Sequence, residues 1–176
     1  MRRVAAMLFG SGGGISSVGF FLPWISFSCA GEQQVFTGAD LAQEGSPELW
    51  LVFVFGLVVI SLAAFFLMGP QAPPKPLDDL DIESTKRRLS FERRHSLGHV
   101  VVLIASLCAI GLLIVEYLQQ MQNTEAELKA LGHSLSALDI RIESGAWASS
   151  LGFVAACVGS VLGLRSESKE QNAQGS

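Results

Sequence analysis

The chain has 176 residues, of which 49% are hydrophobic and 16% charged, and its formal net charge at pH 7 is −4. The acidic balance, without a domain that could present the basic residues, excludes a nucleic-acid-binding protein. The three cysteines show no CxxC or Cys/His spacing, which excludes a structural zinc site and a disulfide framework.

The apolar residues are concentrated in four segments that contain no Lys, Arg or Asp, at 4–25, 49–68, 99–118 and 146–164. At 1.5 Å per residue each helix would be roughly 27 to 33 Å long, which is about the thickness of the hydrocarbon layer of a bilayer. The sequence therefore predicts an all-α membrane protein. We expect one domain, a four-transmembrane-helix bundle over 1–165, followed by a disordered cytoplasmic tail at 166–176.

The basic residues lie at one end of these segments and the Trp and Tyr residues at the other. Ten of the twelve Lys and Arg residues fall before the first segment, in the loop 69–98 or after the fourth segment. The positive-inside rule then places both termini in the cytoplasm and exports the loops 26–48 and 119–145, which carry eight carboxylates. The expected interfacial anchors at the exported ends are Trp24, Trp50, Tyr117 and Trp147. Cleavage of the first segment as a signal would leave this orientation unchanged.

The first segment is rich in Gly and Ser, which allow helix backbones to approach closely in lipid. Gly10 and Gly14 have the GxxxG spacing, and the fourth segment offers small residues at Gly152, Ala156 and Gly159. We predict that these five residues form a helix-packing interface. It is either a tight contact between the first and fourth helices or a surface for an oligomer or partner.

The first exported loop contains two helix-start signals. Pro23 ends the first helix, and Thr37 with Asp40 three residues later predicts a capping box for a short helical turn. Ser46 followed by Pro47 then predicts the start of the second long helix.

The second exported loop begins as a continuation of the third helix, because apolar residues recur at helical spacing until Gly132. Leu138, Ile140 and Ile142 then alternate with charged residues, which is the period of a strand. Val35 and Phe36 could supply a partner strand. Together they would give a small two-stranded cap with an acidic outer surface.

The cytoplasmic loop is an extended Pro-rich stretch, followed by carboxylates and then by a basic cluster. Because this cluster precedes the third span, it either contacts anionic lipid head groups or serves topology alone. Ser90 within it has the look of a kinase site, an alternative that we do not favour. The cluster consists of Lys86, Arg87, Arg88, Arg93 and Arg94.

Two ionisable residues in the spans could carry chemistry. Glu116 could bind a proton or cation, but its place beside Tyr117 favours a carboxylate at the interface that reaches water. His99 could ligate a haem-like metal centre, but no second histidine is placed to pair with it, which favours an interfacial histidine without a ligand. No catalytic triad, carboxylate pair, phosphate loop or metal-ligand spacing occurs, so we predict no enzyme activity, cofactor or metal.

Two stretches of the first exported loop resemble the exported loop of small uncharacterised bacterial four-helix inner-membrane proteins. They are residues 21–29, which include the Pro23-Trp24 pair, and residues 37–42, Thr-Gly-Ala-Asp-Leu-Ala. In those proteins a Pro-Trp pair closes the first helix and a Gly-x-acid-Leu turn follows. The resemblance implies a bacterial inner-membrane setting and brings no activity. The layout is also similar to the claudin-like tetraspan architecture. The paired cysteines of claudin loops are absent here, since only Cys29 is available, so that function is not carried over.

These features lead to three functional hypotheses. We favour a non-enzymatic multi-pass membrane protein that acts as an accessory or scaffolding subunit, through helix packing and its acidic exported cap. Its partner would be another membrane protein or a second copy. The first alternative is a subunit of an oligomeric transporter or channel, in which only the Gly-rich first span could line a path. The second is a sensor that binds a ligand or cation at the exported loops.

Overall fold

The structure is a computed structural model that describes residues 2–29, 32–68, 82–130 and 139–174. Helices predominate over strands in these ranges. In chain order the elements are α1 (Arg2–Gly19), β1 (Pro23–Cys29), β2 (Glu32–Thr37), α2 (Gly38–Glu44), α3 (Leu49–Met68), α4 (Ile82–Ala130), β3 (Asp139–Ile142) and α5 (Ser144–Gln174).

Three of the four predicted spans correspond to helices that are long and apolar enough to cross a membrane. They are Leu49–Met68 in α3, Ser96–Asn123 in α4 and Ser144–Ser166 in α5. The first predicted span, 4–25, is helical only to Gly19, and a strand begins at Pro23. The helix ends early because Pro23 has no backbone N–H to donate and the residues after it pair with two other strands.

Two helices extend beyond the predicted spans. The predicted continuation of the third helix is confirmed as far as Ala130, whereas Gly132 lies outside the described residues. The same helix begins at Ile82, so part of the loop expected at 69–98 is helical. Helix α5 continues to Gln174, and the expectation of a disordered tail from 166 is therefore wrong up to that residue. The extension of α4 over 82–97 and that of α5 over 164–174 contain no Gly or Pro. Both helices can therefore continue, because adding residues to an existing helix costs far less free energy than starting a new one.

The cap contains a three-stranded antiparallel sheet in the order β2-β1-β3. Val35 pairs with Ser26, and Ile142 pairs with Ile25 on the other side of β1. The prediction of strands around Val35 and around 140–142 is confirmed, but they do not pair with each other. Strand β1 lies between β2 and β3. Its residues were predicted to belong to the end of the first helix and to the loop that follows it.

The four long helices pack side by side. Helix α1 lies against α5 and α3, and α4 also lies against α5 and α3. One buried cluster lies next to the sheet and contains Phe20, Trp24, Ala39, Ala42, Leu49, Val52, Ala109 and Phe153. A second lies toward the other end of the helices and contains Ala6, Phe9, Val59, Ala63, Val102 and Ala156.

The outside of the helices differs from that of soluble helical proteins, in which the exposed faces are polar. Serines are buried between the helices, with Ser16, Ser106, Ser149 and Ser160 at most 1% exposed. Large apolar side chains on all four long helices are more than half exposed, among them Val4, Met7, Val18, Phe65, Ile104, Leu107 and Leu151. The helices thus contact each other through buried serines as well as through the two apolar clusters, and they present bulky apolar residues outward.

Candidate functional site

Helices α1 and α5 make the closest backbone approach, at a crossing built on two buried serines. The Ser16 hydroxyl donates to the Ser149 carbonyl at 2.9 Å, and the Ser149 hydroxyl donates to the Ser16 carbonyl at 3.2 Å. This reciprocal pair satisfies two hydroxyls that would be costly to bury alone. The sequence analysis named the Gly and Ser residues of the first segment as small packing residues but did not single out the pair of Ser16 and Ser149. The spacing Gly12-xxx-Ser16 was the available signal, since serine is as suitable as glycine there.

Three of the five predicted packing residues lie in this crossing. A Cβ built at Gly152 would be 2.5 Å from the Gly12 carbonyl oxygen, and one at Gly159 would be 2.9 Å from the Phe9 backbone nitrogen. Ala156 is fully buried, and its backbone nitrogen would be 2.9 Å from a Cβ at Gly12. These approaches are too close for any side chain larger than hydrogen at the two glycines.

The other two predicted packing residues lie elsewhere. A Cβ at Gly10 would meet the Ala63 Cβ of α3 at 2.7 Å, so this glycine serves the α1–α3 contact. A Cβ at Gly14 would meet no atom within 4 Å. The GxxxG pair therefore does not act as one unit: both glycines lie on one face of α1, but only Gly10 is covered by a neighbouring helix.

A pocket of about 360 Å³ lies where α4 and α5 meet the sheet. Its wall combines residues of β1, α2, α3, α4, β3 and α5, and all but three of them are apolar or aromatic. The lining residues are Trp24, Ile25, Leu41, Leu49, Ile110, Leu113, Ile114, Glu116, Tyr117, Leu118, Gln120, Ile142, Ala146, Trp147 and Ser150.

Local hydrogen bonds hold the part of this wall that comes from the segment between α1 and α3. The indole Nε1 of Trp24 donates to the Gly19 carbonyl at 2.8 Å, which fixes the ring against the end of α1. Gly145 leaves room for this arrangement, since a Cβ there would be 2.7 Å from the Trp24 Cδ1. The Ser26 hydroxyl donates to Glu143 Oε1 at 2.6 Å and ties β1 to the start of α5.

The predicted capping box is confirmed and positions the short helix α2 beside the pocket. The Asp40 carboxylate accepts from the Thr37 backbone N–H at 2.9 Å, and the Thr37 hydroxyl oxygen accepts from the Asp40 N–H at 3.1 Å. The hydrogen bonds from the Thr37 backbone and then from its hydroxyl hold the pKa of Asp40 below its ordinary value of 3.8. Two of the loop carboxylates, Asp40 and Glu143, thus have structural partners.

Glu116 is more enclosed than the sequence indicated. Its side chain is only 9% exposed and lines the pocket, so it does not extend outward beside Tyr117 as expected of an interfacial carboxylate. It is the single charged residue in the lining. Among the described residues no hydrogen bond or ion pair of Glu116 is present, and its carboxylate is not one of the fully enclosed polar groups without a partner, so it opens into the pocket. The pocket is therefore apolar apart from one carboxylate and two neutral polar side chains, Gln120 and Ser150.

The four predicted interfacial anchors differ in position. Trp147, Tyr117 and Trp50 are 59%, 44% and 37% exposed, as expected of aromatic residues at a surface. Trp24 is only 5% exposed and belongs to the buried cluster beside the sheet. Among the four predicted anchors, Trp24 thus differs from the other three in that its ring is buried and its N–H has a partner inside the protein.

His99 lies at the opposite end of the helices from the pocket and is buried, in contrast to the interfacial histidine that the sequence indicated. Its ring stacks on Phe66 at 4.8 Å and meets the edge of Phe9 at 5.7 Å. Gly163 makes room for it, since a Cβ there would be 2.7 Å from His99 Nδ1. These contacts identify His99 as a packing residue between α1, α3, α4 and α5.

The predicted basic cluster, Lys86, Arg87, Arg88, Arg93 and Arg94, lies on the N-terminal part of α4, and its side chains are outside what the structure describes. Across the described residues no three His, Cys, Asp or Glu side chains come together as a metal site would require. Comparison with known proteins finds no matching family model, no similar curated protein and no similar solved structure.

Proposed function

We propose that the protein is an integral membrane protein with four spanning helices, α1, α3, α4 and α5, and with both termini in the cytoplasm. The outward-facing apolar side chains on all four helices support this proposal, since such a surface is stable only in an apolar solvent. Helix α1, with 18 residues, would be about 27 Å long and could span most of the hydrocarbon layer. The distribution of basic residues supports the orientation, and the Pro-Trp resemblance supports the bacterial inner membrane.

Within that membrane we propose a non-enzymatic accessory or scaffolding role. The observation that carries it is the open position of Gly14. Glycine in a helix costs up to about 1 kcal/mol relative to alanine, and here no internal contact explains it, unlike at Gly12 or Gly152. Gly111 of α4 is equally open, but only Gly14 has a second glycine one turn away on its face, at Gly10. Small residues in membrane helices favour helix association, so the open surface of α1 around Gly14, one turn beyond the Gly10–Ala63 contact, is a suitable surface for a second copy or a partner helix.

Two measurements test this proposal. Tags at each terminus should be accessible only from the cytoplasmic side of intact cells. In mild detergent the protein should purify as an oligomer or with a membrane-protein partner, and Gly14→Leu should reduce that association. Val158→Leu is the matched control, because it also enlarges an exposed position but lies on α5. A strictly monomeric protein without a partner would contradict the accessory role.

The transporter alternative gains no support from the described residues. The buried hydroxyls of Ser17, Ser160 and Ser166 donate to carbonyls of their own helices at 2.8–3.0 Å, so they do not form a polar path between helices. The ligand-binding alternative is favoured by one observation, the carboxylate of Glu116 in the wall of the pocket.

A further inference from the structure

The pocket combines an apolar wall with a single carboxylate, for which no partner is present among the described residues. Glu116 is nine-tenths buried and no charged side chain shares the lining with it. The carboxylate opens into an apolar pocket, and inside a membrane the default interpretation of such a residue is a functional one. An occupant that brings a positive charge would find in Glu116 the only charged partner of the lining.

The dimensions of the pocket favour a small occupant. A volume of about 360 Å³ is within the range of ligand sites, and it is larger than a cavity of about 150 Å³ that holds benzene. A partner helix, with a diameter of about 10 Å, is too wide to enter it. A single hydrocarbon chain fits both the volume and the apolar wall.

The position of the carboxylate indicates how such a chain would lie. Glu116 is near the end of the apolar part of α4, whereas Ile110 and Leu113 lie one to two helical turns earlier, toward the middle of the helices. A hydrocarbon chain along Ile110 and Leu113 would therefore bring its polar end to Glu116. An anionic head group would be repelled there, and a neutral one would leave the carboxylate uncompensated.

We propose that this pocket binds a single-chain amphiphile with a protonated amine head group, the ammonium paired with Glu116 and the chain against the apolar wall. This inference rests on the membrane placement proposed above, but it is independent of the accessory role. Association through Gly14 and amphiphile binding through Glu116 use different surfaces, so either can fail without the other.

Tryptophan fluorescence in nanodiscs of phosphatidylcholine can test the proposal. Trp24 and Trp147 line the pocket and Trp50 does not, so a Trp50→Phe variant of the full chain reports on the pocket. The probe is a primary alkylamine that carries bromine at the end of its chain and quenches nearby indoles. Competitors are the unbrominated amine, the alcohol and the carboxylic acid of equal chain length, because they differ only in the charge of the head group.

We expect saturable quenching, with the amine about tenfold or more stronger as a competitor than the alcohol, and the carboxylate weakest. Glu116→Gln should reduce the amine to the level of the alcohol, whereas Glu48→Gln, an exposed carboxylate outside the lining, should change nothing. Ala146→Phe, which fills the pocket and keeps Glu116, should weaken both competitors alike. Equal competition by amine and alcohol, quenching that does not saturate, or an unchanged preference in a folded Glu116→Gln variant would each overturn the proposal.

Discussion

The crossing of α1 and α5 predicts that Gly152→Ala is strongly destabilising although it adds a single methyl group. The new Cβ would be 2.5 Å from the Gly12 carbonyl oxygen and 2.8 Å from the Ser16 backbone nitrogen. Both are backbone atoms, so relief requires the helices to move apart. Overpacking of this kind costs about 1–3 kcal/mol.

Separation of the helices also weakens the two hydrogen bonds between Ser16 and Ser149, each contributing about 0.6 kcal/mol in a membrane protein. The sum is a loss of about 2–4 kcal/mol in the free energy of unfolding. For a chain of this size it lowers the melting temperature by roughly 4–16 °C.

Thermal unfolding in mild detergent, followed by circular dichroism, measures this effect. Gly111→Ala is the matched control, since a Cβ at that position of α4 meets no atom within 4 Å. It should be neutral or stabilising by up to about 1 kcal/mol, because alanine is the better helix former. If Gly152→Ala melts at or above the wild-type temperature, or if both variants lose stability equally, the close packing inferred at this crossing is refuted.

Three further predictions concern the cap and the buried histidine. Because the pKa of Asp40 is lowered, the carboxylate stabilises α2 above the ordinary pKa of an aspartate, and this stabilisation is lost as the pH falls through the lowered pKa of Asp40. Hydrogen exchange in α2 should therefore depend on pH in the wild type, and Asp40→Asn should flatten that dependence. An unchanged profile in the variant would refute the role of the Thr37 hydrogen bonds. Trp24→Phe removes the donor to the Gly19 carbonyl and should reduce stability by about 1–2 kcal/mol in thermal unfolding, whereas no loss would mean that water replaces the indole. His99→Ala leaves a cavity among aromatic rings and should cost about 2–4 kcal/mol by the same assay; a variant as stable as the parent would show that the site collapses without penalty.

Local features of the fold could be predicted from the sequence. The capping box of Thr37 and Asp40 depends on two residues three positions apart, and the three apolar helices depend on the composition of single segments. Strand β1 was missed because its residues are as apolar as the helix before them. The alternation of Ile25, Phe27 and Cys29 with serines was the signal that distinguished them.

Features that depend on distant parts of the chain were harder to predict. The small residues of α1 and α5 indicate that the helices pack, but they do not specify which glycine faces which neighbour. Gly10 faces α3 and Gly152 faces α1, an assignment set by the rotation of each helix. The enclosure of Glu116 likewise results from six elements that meet around one pocket. No pattern within its own helix could indicate that.

Pairing of β1 with β3, next to the crossing of α1 and α5, joins two parts of the chain that are more than one hundred residues apart in sequence. The ribosome must therefore synthesise α5 before the surface around Gly12 and Ser16 is covered. Until then the buried face of α1 lacks the neighbour that supplies the partner of the Ser16 hydroxyl. A chain truncated before α5 would present an uncovered α1 to chaperones and proteases.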